Sequence, residues 1–451
     1  MSQTPMPQLP EKKPMSRTMS AILMIVLLAV GLGVGVLAGS FVVAPVLSSG
    51  LKGDVPIGDL LPLTGDLASF GKTSQVATEF ARDDVNAYLS ASGAGWSVKL
   101  VEEDTATTAT QALSMVQTLY AQGVKVTVGP QSSSEIRGIK DYVNTNHIVL
   151  ISQSSTATDV GIANDYIFRF APNDTVQGRA LGRAMINSGA IITVQMYRND
   201  PWGVGLSSSS GTAFTTNGGT VWGTKIAYDT TTGATGTAIA TNTAALESAV
   251  KAALAAPSVN GNATKVAVQL LAFDEGDKFL AEAGTNTGGA YPTLNNPKLK
   301  WFGSDGTTQS SAISSDATAS AFANKQYFLN TLFGTVNSAK FSDLDARIAT
   351  KLGYHAESYA FNAYDAVWVL ALAIQSAGKY DPVAVQKILN TSYLSTSTAP
   401  YFGASGPIRL NSSGDRVFSD YDLWIVQPSG STWTWVAVKH YNYLTDSISG
   451  L

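Results

Sequence analysis

The chain has 451 residues, enough for one apolar anchor and two domains of average size. A net charge of −4, only 14% charged residues and no basic stripe interleaved with aromatics exclude nucleic acid as a partner. The absence of cysteine excludes disulfides, thiol chemistry and a lipid-modified cysteine anchor.

No residue between Thr18 and Leu51 is charged, and the heart of this stretch is AILMIVLLAVGLGVGVLAGSFVVAPVL, Ala21–Leu47. About 20 apolar residues cross a bilayer, so residues 20–47 are expected to form a transmembrane anchor. Lys12, Lys13 and Arg17 precede the run, which places residues 1–19 in the cytoplasm and everything after Gly50 outside the cell. The alternative is a cleaved signal peptide, with Ala38-Gly39-Ser40 as a cleavage site and a secreted product.

Beyond the anchor, strand and helix patterns alternate. PIGDLLPL (Pro56–Leu63) precedes a helical stretch, Ser74–Leu89, with Val76, Phe80 and Ala87 on one face. SVKLVEED and the helix ATQALSMVQTLYAQG follow. Two hydrophobic runs then end in hydroxyl clusters, VTVGPQSSSEIRG (Val126–Gly138) and IVLISQSSTATDV (Ile148–Val160). This βαβ rhythm implies parallel sheets with right-handed crossovers. It restarts after FRFAPNDT, with strands AIITVQMYR, GTVWGTKIAY, KVAVQLLAF and LKWFGSDG. Thr230–Thr243 is low in complexity and is expected to be a surface loop, whereas Tyr354–Gly378 is a buried helix ended by its glycine. VFSDYDLWIVQ and TWTWVAVKHYN are expected to pair as a β-hairpin.

Three scattered histidines and no Cys/His cluster speak against a transition-metal site, and no cofactor is expected. Gly205–Gly211, GLSSSSG, lacks the spacing of a nucleophile elbow and is expected to start a helix. Gly71-Lys72-Thr73 carries only the ending of a phosphate loop. Nothing here supports an enzyme. What remains are recognition features, because ligands of parallel α/β sheets bind beyond the carboxyl ends of the strands. Hydroxyls and helix-start N–H groups there suit a small carboxylate; the alternative is that these serines only cap turns and helices. Asp305, at the end of LKWFGSDG, could meet an ammonium or could simply turn the chain before Gly306. Phe70, Trp202 and Phe273 fall at strand-terminal loops and could wall an apolar side chain, although single aromatics of this kind are commonly core.

At these residues the chain resembles the extracellular solute-binding proteins of branched-chain-amino-acid-type ABC transporters, the Leu/Ile/Val-binding family. The resemblance covers nearly all of residues 54–445 and is carried by IGDLLPLTGDLASFG, EEDTATTATQA, VGPQSSS, ISQSSTAT, FRFAPNDTVQGRAL, YRNDPWGVGL, WFGSDG, YDAVWVLALAIQSAG and FGASGPIRLNSSGDR, in the family's order. It implies the type I periplasmic-binding-protein fold: two α/β lobes, each a parallel sheet flanked by helices, joined by hinge crossovers and closing on a ligand. Lobe one is expected from residues 54–172 and 332–409, and lobe two from 175–330 and 411–448. By motif position Ser133 and Thr156 hold the ligand's carboxylate and amino group, with backbone around Ser154 and Ser155, and Asp305 pairs with the α-ammonium. Phe70 and Trp202 match pocket-lining aromatics, and Phe273 stands where relatives often carry a tyrosine. The implied protein is a monomer that gives a small zwitterion, a branched-chain or related amino acid, to ABC permease subunits. A ligand-sensing receptor domain, or a binder of amides or urea-like solutes, remains open.

Overall fold

A computed structural model describes residues 50–451 apart from 224, 286–288, 394–400 and 418. The expected anchor at 20–47 lies outside the described residues, and no described helix is long and apolar enough to cross a membrane.

The first half alternates as its sequence predicts. In order come β1 (Gly53–Leu61), α1 (Ala68–Ala91), β2 (Trp96–Asp104), α2 (Ala109–Ala121), β3 (Val126–Val128), α3 (Ser133–Thr145), β4 (Val149–Ser152) and β5 (Ile167–Pro172). The second half holds α4 (Asp174–Asn187), β6 (Ile192–Arg198), α5 (Pro201–Thr216), β7 (Thr220–Val221), β8 (Ile226–Tyr228), α6 (Thr237–Leu254), β9 (Val266–Leu271), α7 (Gly276–Gly284) and β10 (Lys300–Gly303). It continues through α8 (Ser311–Ser315), α9 (Ala317–Lys325) and β11 (Leu329–Phe333). Then follow α10 (Ala339–Leu352), α11 (Ser358–Ala377), α12 (Pro382–Ile388), β12 (Tyr401–Gly403), β13 (Gly406–Ile408), β14 (Asp415–Arg416), β15 (Tyr421–Ser429), β16 (Thr432–Asn442) and β17 (Ser447–Gly450).

Apart from β12 and β13, which pair in a two-stranded antiparallel ribbon, two large sheets organise the two-lobed type I periplasmic-binding fold. One runs β14-β5-β4-β3-β1-β2, with every pairing parallel. The other runs β17-β16-β15-β11-β10-β9-β6-β7, with β8 also on β6. It is parallel from β11 to β7, and β15, β16 and β17 extend it antiparallel. The chain passes between the sheets after Pro172, after Phe333 and after Arg416. Strands buried on both faces need helices over both, which accounts for continuous apolar runs such as Ile148–Ile151.

The C-terminal hairpin forms as expected, with β15 antiparallel to β16. Three local expectations need correction. The buried face of α1 runs along Ala77, Ala81, Val85 and Leu89, and Ala87 is exposed, because the helix starts earlier and faces α11. Gly205–Gly211 lies inside α5, which starts at Pro201 with Asp200 accepting from Gly203 N as its cap. Thr237–Thr243, placed in a loop because of its low complexity, opens α6 instead; its tertiary packing overrides a weak composition signal.

Candidate functional site

Both hydroxyl clusters sit at the carboxyl ends of neighbouring strands, β3 and β4. Gly129 makes the first turn possible: its φ is +81°, and a Cβ there would lie 1.9 Å from Leu60 O. Ser132 caps α3 in a reciprocal box, its Oγ accepting from Glu135 N at 3.3 Å while Glu135 Oε2 accepts from Ser132 N at 2.8 Å. Burial pushes the Glu135 carboxyl up to about 7, so its negative charge at this helix start is only partial near neutral pH. The N–H groups of Ser133 and Ser134 belong to the first turn, where a helix offers no internal acceptor.

Ser133 welds the clusters together. Its Oγ accepts from Thr156 N at 3.2 Å and Ala157 N at 3.1 Å and lies 3.0 Å from Ser155 Oγ. Ser154 Oγ donates to Gln131 O at 2.8 Å. Arg169 on β5 fixes the second loop from behind, donating from Nη1 to Ala157 O at 2.6 Å and Ser155 O at 3.3 Å. Its Nε meets Asp415 Oδ1 at 2.6 Å, a pair whose side chains are 1% and 4% exposed. The Thr156 hydroxyl is buried without a hydrogen-bond partner.

Across from these hydroxyls the second sheet presents acid and aromatic groups. Asp305, buried at the end of β10, accepts from Gln177 Nε2 at 2.8 Å and from Tyr359 OH at 2.6 Å. Burial raises its carboxyl above the usual range, and those two bonds oppose the rise. Asp174, the first residue of α4, is completely buried and neither carboxylate oxygen has a partner. Burial, then the nearby Asp305 charge, lifts it well above an ordinary carboxyl, and the Thr156 hydroxyl pulls the other way. Its backbone N–H donates to Thr156 O at 2.9 Å, which ties the first hinge to the second serine loop.

A single cavity joins these parts. It is lined by Phe70, Ser133, Ser154, Trp202, Phe273 and Asp305, together with Leu67, Gln131, Ser132, Gly306 and Tyr359, and the free space at its centre is about 20 Å³. Six of the eight residues singled out from sequence therefore meet here. Ser155 and Thr156 stand behind the lining, joined to it through Ser133. Tyr359 and Asp174 were not foreseen. Tyr359 reads as one more apolar-stripe residue of a buried helix, and Asp174 as a helix-start acid; only their tertiary position beside Asp305 distinguishes them. Gln131 lies within a quoted motif, although nothing in its residue type marks it.

The cleft is shut by side chains from both sides. Ser69 donates to Asp274 through N at 3.0 Å and Oγ at 2.7 Å, and Arg198 Nη1 meets Asp66 Oδ2 at 2.9 Å. Among the described residues no group of three or more His, Cys, Asp or Glu side chains could hold a metal ion.

Residues 73–429 match the family described as the receptor family ligand binding region. An uncharacterised protein of Methanocaldococcus jannaschii is 31% identical over 405 residues, 86% of this chain and 91% of its own length. A Leu/Ile/Val-binding protein homolog of Brucella melitensis is 24% identical over 393 residues, covering 85% of this chain and 95% of that one. Among solved structures, a leucine-binding protein from Thermotoga maritima superposes with a TM-score of 0.65 at 20% identity, covering 85% of this chain and 98% of the other.

Proposed function

The chain belongs to the family of receptor ligand-binding regions, and from that premise we infer that it is a solute-binding protein whose cleft takes a small zwitterion, an amino acid or close relative, for an ABC transporter. The lobes are the two sheets with their helices. The first supplies the α3 N–H groups and the serine-loop hydroxyls to the ligand's carboxylate; the second, with its hinge, supplies Asp305 and Asp174 to the ammonium. Trp202, Phe273 and Phe70 enclose the side chain. Relatedness to Leu/Ile/Val-binding proteins supports a neutral amino acid as the class. The apolar run at 20–47 supports tethering to the membrane, with the lobes outside the cell.

One observation carries the reading: the fully buried Asp174 carboxylate has no hydrogen-bond donor nearby except the Thr156 hydroxyl and lies within electrostatic reach of a second buried acid, Asp305, which lines the cavity. Two buried carboxylates within reach of each other are unfavourable even with Arg169 opposing the repulsion at Asp174, whereas an ammonium near both offsets the repulsion and the desolvation. Facing them, first-turn N–H groups and hydroxyls suit the opposite end of a dipolar solute. Because the ligand touches both lobes together only when the cleft is shut, its contacts favour the closed state.

A thermal-shift screen of the full chain against amino acids, amides and simple carboxylates tests this. A ligand that binds the native state alone at about a hundredfold above its Kd stabilises it by about 2.7 kcal/mol. Stabilisation by amino acids, but not by the matching amines or acids, is expected; equal stabilisation by acids that carry no amine would sink the zwitterion assignment.

A further inference from the structure

One wall of the cavity is clamped by a buried cation. Arg198 ends β6 and is 3% exposed, yet three carboxylates hold it. Its Nε donates to Asp200 Oδ2 at 3.0 Å, and its Nη1 donates both to Asp66 Oδ2 at 2.9 Å and to Glu275. Glu275 is fixed in turn by the Tyr228 hydroxyl at 2.7 Å, and Asp200 by Gly203 N at 2.8 Å.

This guanidinium lies over the Phe273 ring, with Cζ 4.1 Å from the ring centroid. Phe273 leans on Trp202, their centroids 4.6 Å apart. The turn after β10 closes in on both rings. A Cβ on Gly306 would stand 2.7 Å from Phe273 Cδ1, 2.9 Å from Trp202 Cη2 and 2.4 Å from Ala272 O. The pair is thus held between a guanidinium and a backbone turn. Moving the guanidinium aside would unpair buried charges, which is strongly unfavourable. So the wall cannot readily retreat from a long side chain. The free space in front of it, about 20 Å³, is on the scale of one or two waters.

We propose that Arg198 is a positioning residue that sets ligand size: by pinning the Phe273–Trp202 wall it restricts the cleft to amino acids with a side chain no longer than that of alanine or serine, at the expense of leucine. This rests on the zwitterion assignment above and narrows it. Arg198 acts through Phe273 and touches no ligand. Its contact with Asp66 also couples the wall to closure, since Asp66 reaches it from the opposite side of the cleft.

Calorimetric titration of the full chain with glycine, alanine and leucine, repeated on Trp202→Ala and Arg198→Lys, tests the proposal. Alanine is expected to bind about tenfold or more tightly than leucine, and Trp202→Ala to erase or reverse that preference. Arg198→Lys keeps the charge but loses the guanidinium, and should shift the alanine-to-leucine ratio toward leucine by about threefold or more. A merely structural role would weaken both ligands alike and leave the ratio fixed. Leucine binding tightest to the wild type, or an unmoved ratio in Arg198→Lys, would overturn the proposal while leaving zwitterion capture standing. Binding of none of the three would remove the zwitterion assignment and the proposal together.

Discussion

Ser69 and Asp274, 205 residues apart in sequence, form a two-pronged contact across the cleft: the serine's N–H and hydroxyl each donate to one oxygen of the same carboxylate. A third donor, Ser310 Oγ, reaches Asp274 at 2.5 Å, and Asp274 N donates to Asp66 O at 3.0 Å. The contact exists only while the lobes are together, so it contributes to closure rather than to folding of either lobe. Ser69→Ala should weaken ligand binding by on the order of tenfold, the scale of one hydrogen bond to a charged group. Calorimetry reads the affinity, and small-angle scattering of the ligand-free variant should show a more open molecule. Unchanged affinity and compactness would mean that the contact plays no part in closing.

Asp174 offers a test in which stability and function move in opposite directions. Its carboxylate is fully buried within electrostatic reach of Asp305, with only the Thr156 hydroxyl nearby as a donor. Asp174→Asn removes the repulsion and the burial of charge, so the ligand-free protein should melt a few degrees higher, consistent with about 1 kcal/mol or more gained. The same substitution should lower amino-acid affinity by about tenfold, because half of the ammonium's counter-charge is gone. A variant that is less stable without ligand, or equally tight with it, would remove Asp174 from the site.

Asp59 on β1 predicts a pH dependence of stability. Complete burial pushes its carboxyl up to about 8, against a lowering contribution from the Thr78 hydroxyl, which donates at 2.6 Å. The folded state therefore holds this proton more tightly than the unfolded chain. Its contribution is fully present below the unfolded carboxyl range near pH 4 and is lost as pH rises toward 8, at up to about 1.4 kcal/mol per pH unit. Asp59→Asn should flatten the unfolding free energy between about pH 5 and pH 8 and raise it at the alkaline end; urea titrations across that range would show whether the slope persists.

Arg169 links the fold to the site. It pairs with the buried Asp415 and holds the carbonyls of Ser155 and Ala157 in the second hydroxyl loop. Arg169→Met strands a carboxylate in the core, so unfolding should become easier by about 3–5 kcal/mol. The double variant with Asp415→Leu should recover much of the stability but not the ligand affinity, because the loop carbonyls stay unheld. Recovery of both would confine Arg169 to a structural role.

Much of the fold was legible because parallel sheets write themselves as apolar runs separated by amphipathic stretches. The serine-ended runs at β3 and β4 placed one side of the cavity, and the strand-ending Asp305 with Trp202 and Phe273 placed the other. What stayed hidden depends on contacts between distant residues. Asp174 looks like any acid favoured in a first helical turn, and Tyr359 like any aromatic on a buried helix. Arg198 reads as the polar end of a strand until Asp66, Asp200 and Glu275 surround it. Thr237–Thr243 misled in the other direction: low complexity suggested a loop, yet Thr243 is buried and Leu246 and Val250, further along the same helix, pack into the second-sheet core.

The most direct measurement is calorimetric titration of the full chain with neutral amino acids, repeated on Asp305→Ala. A saturable one-to-one interaction is predicted, weakened about tenfold or more in the variant, because truncating one member of a desolvated charge pair typically costs about 2–5 kcal/mol. An affinity for amino acids that is the same with and without the Asp305 carboxylate would contradict the account.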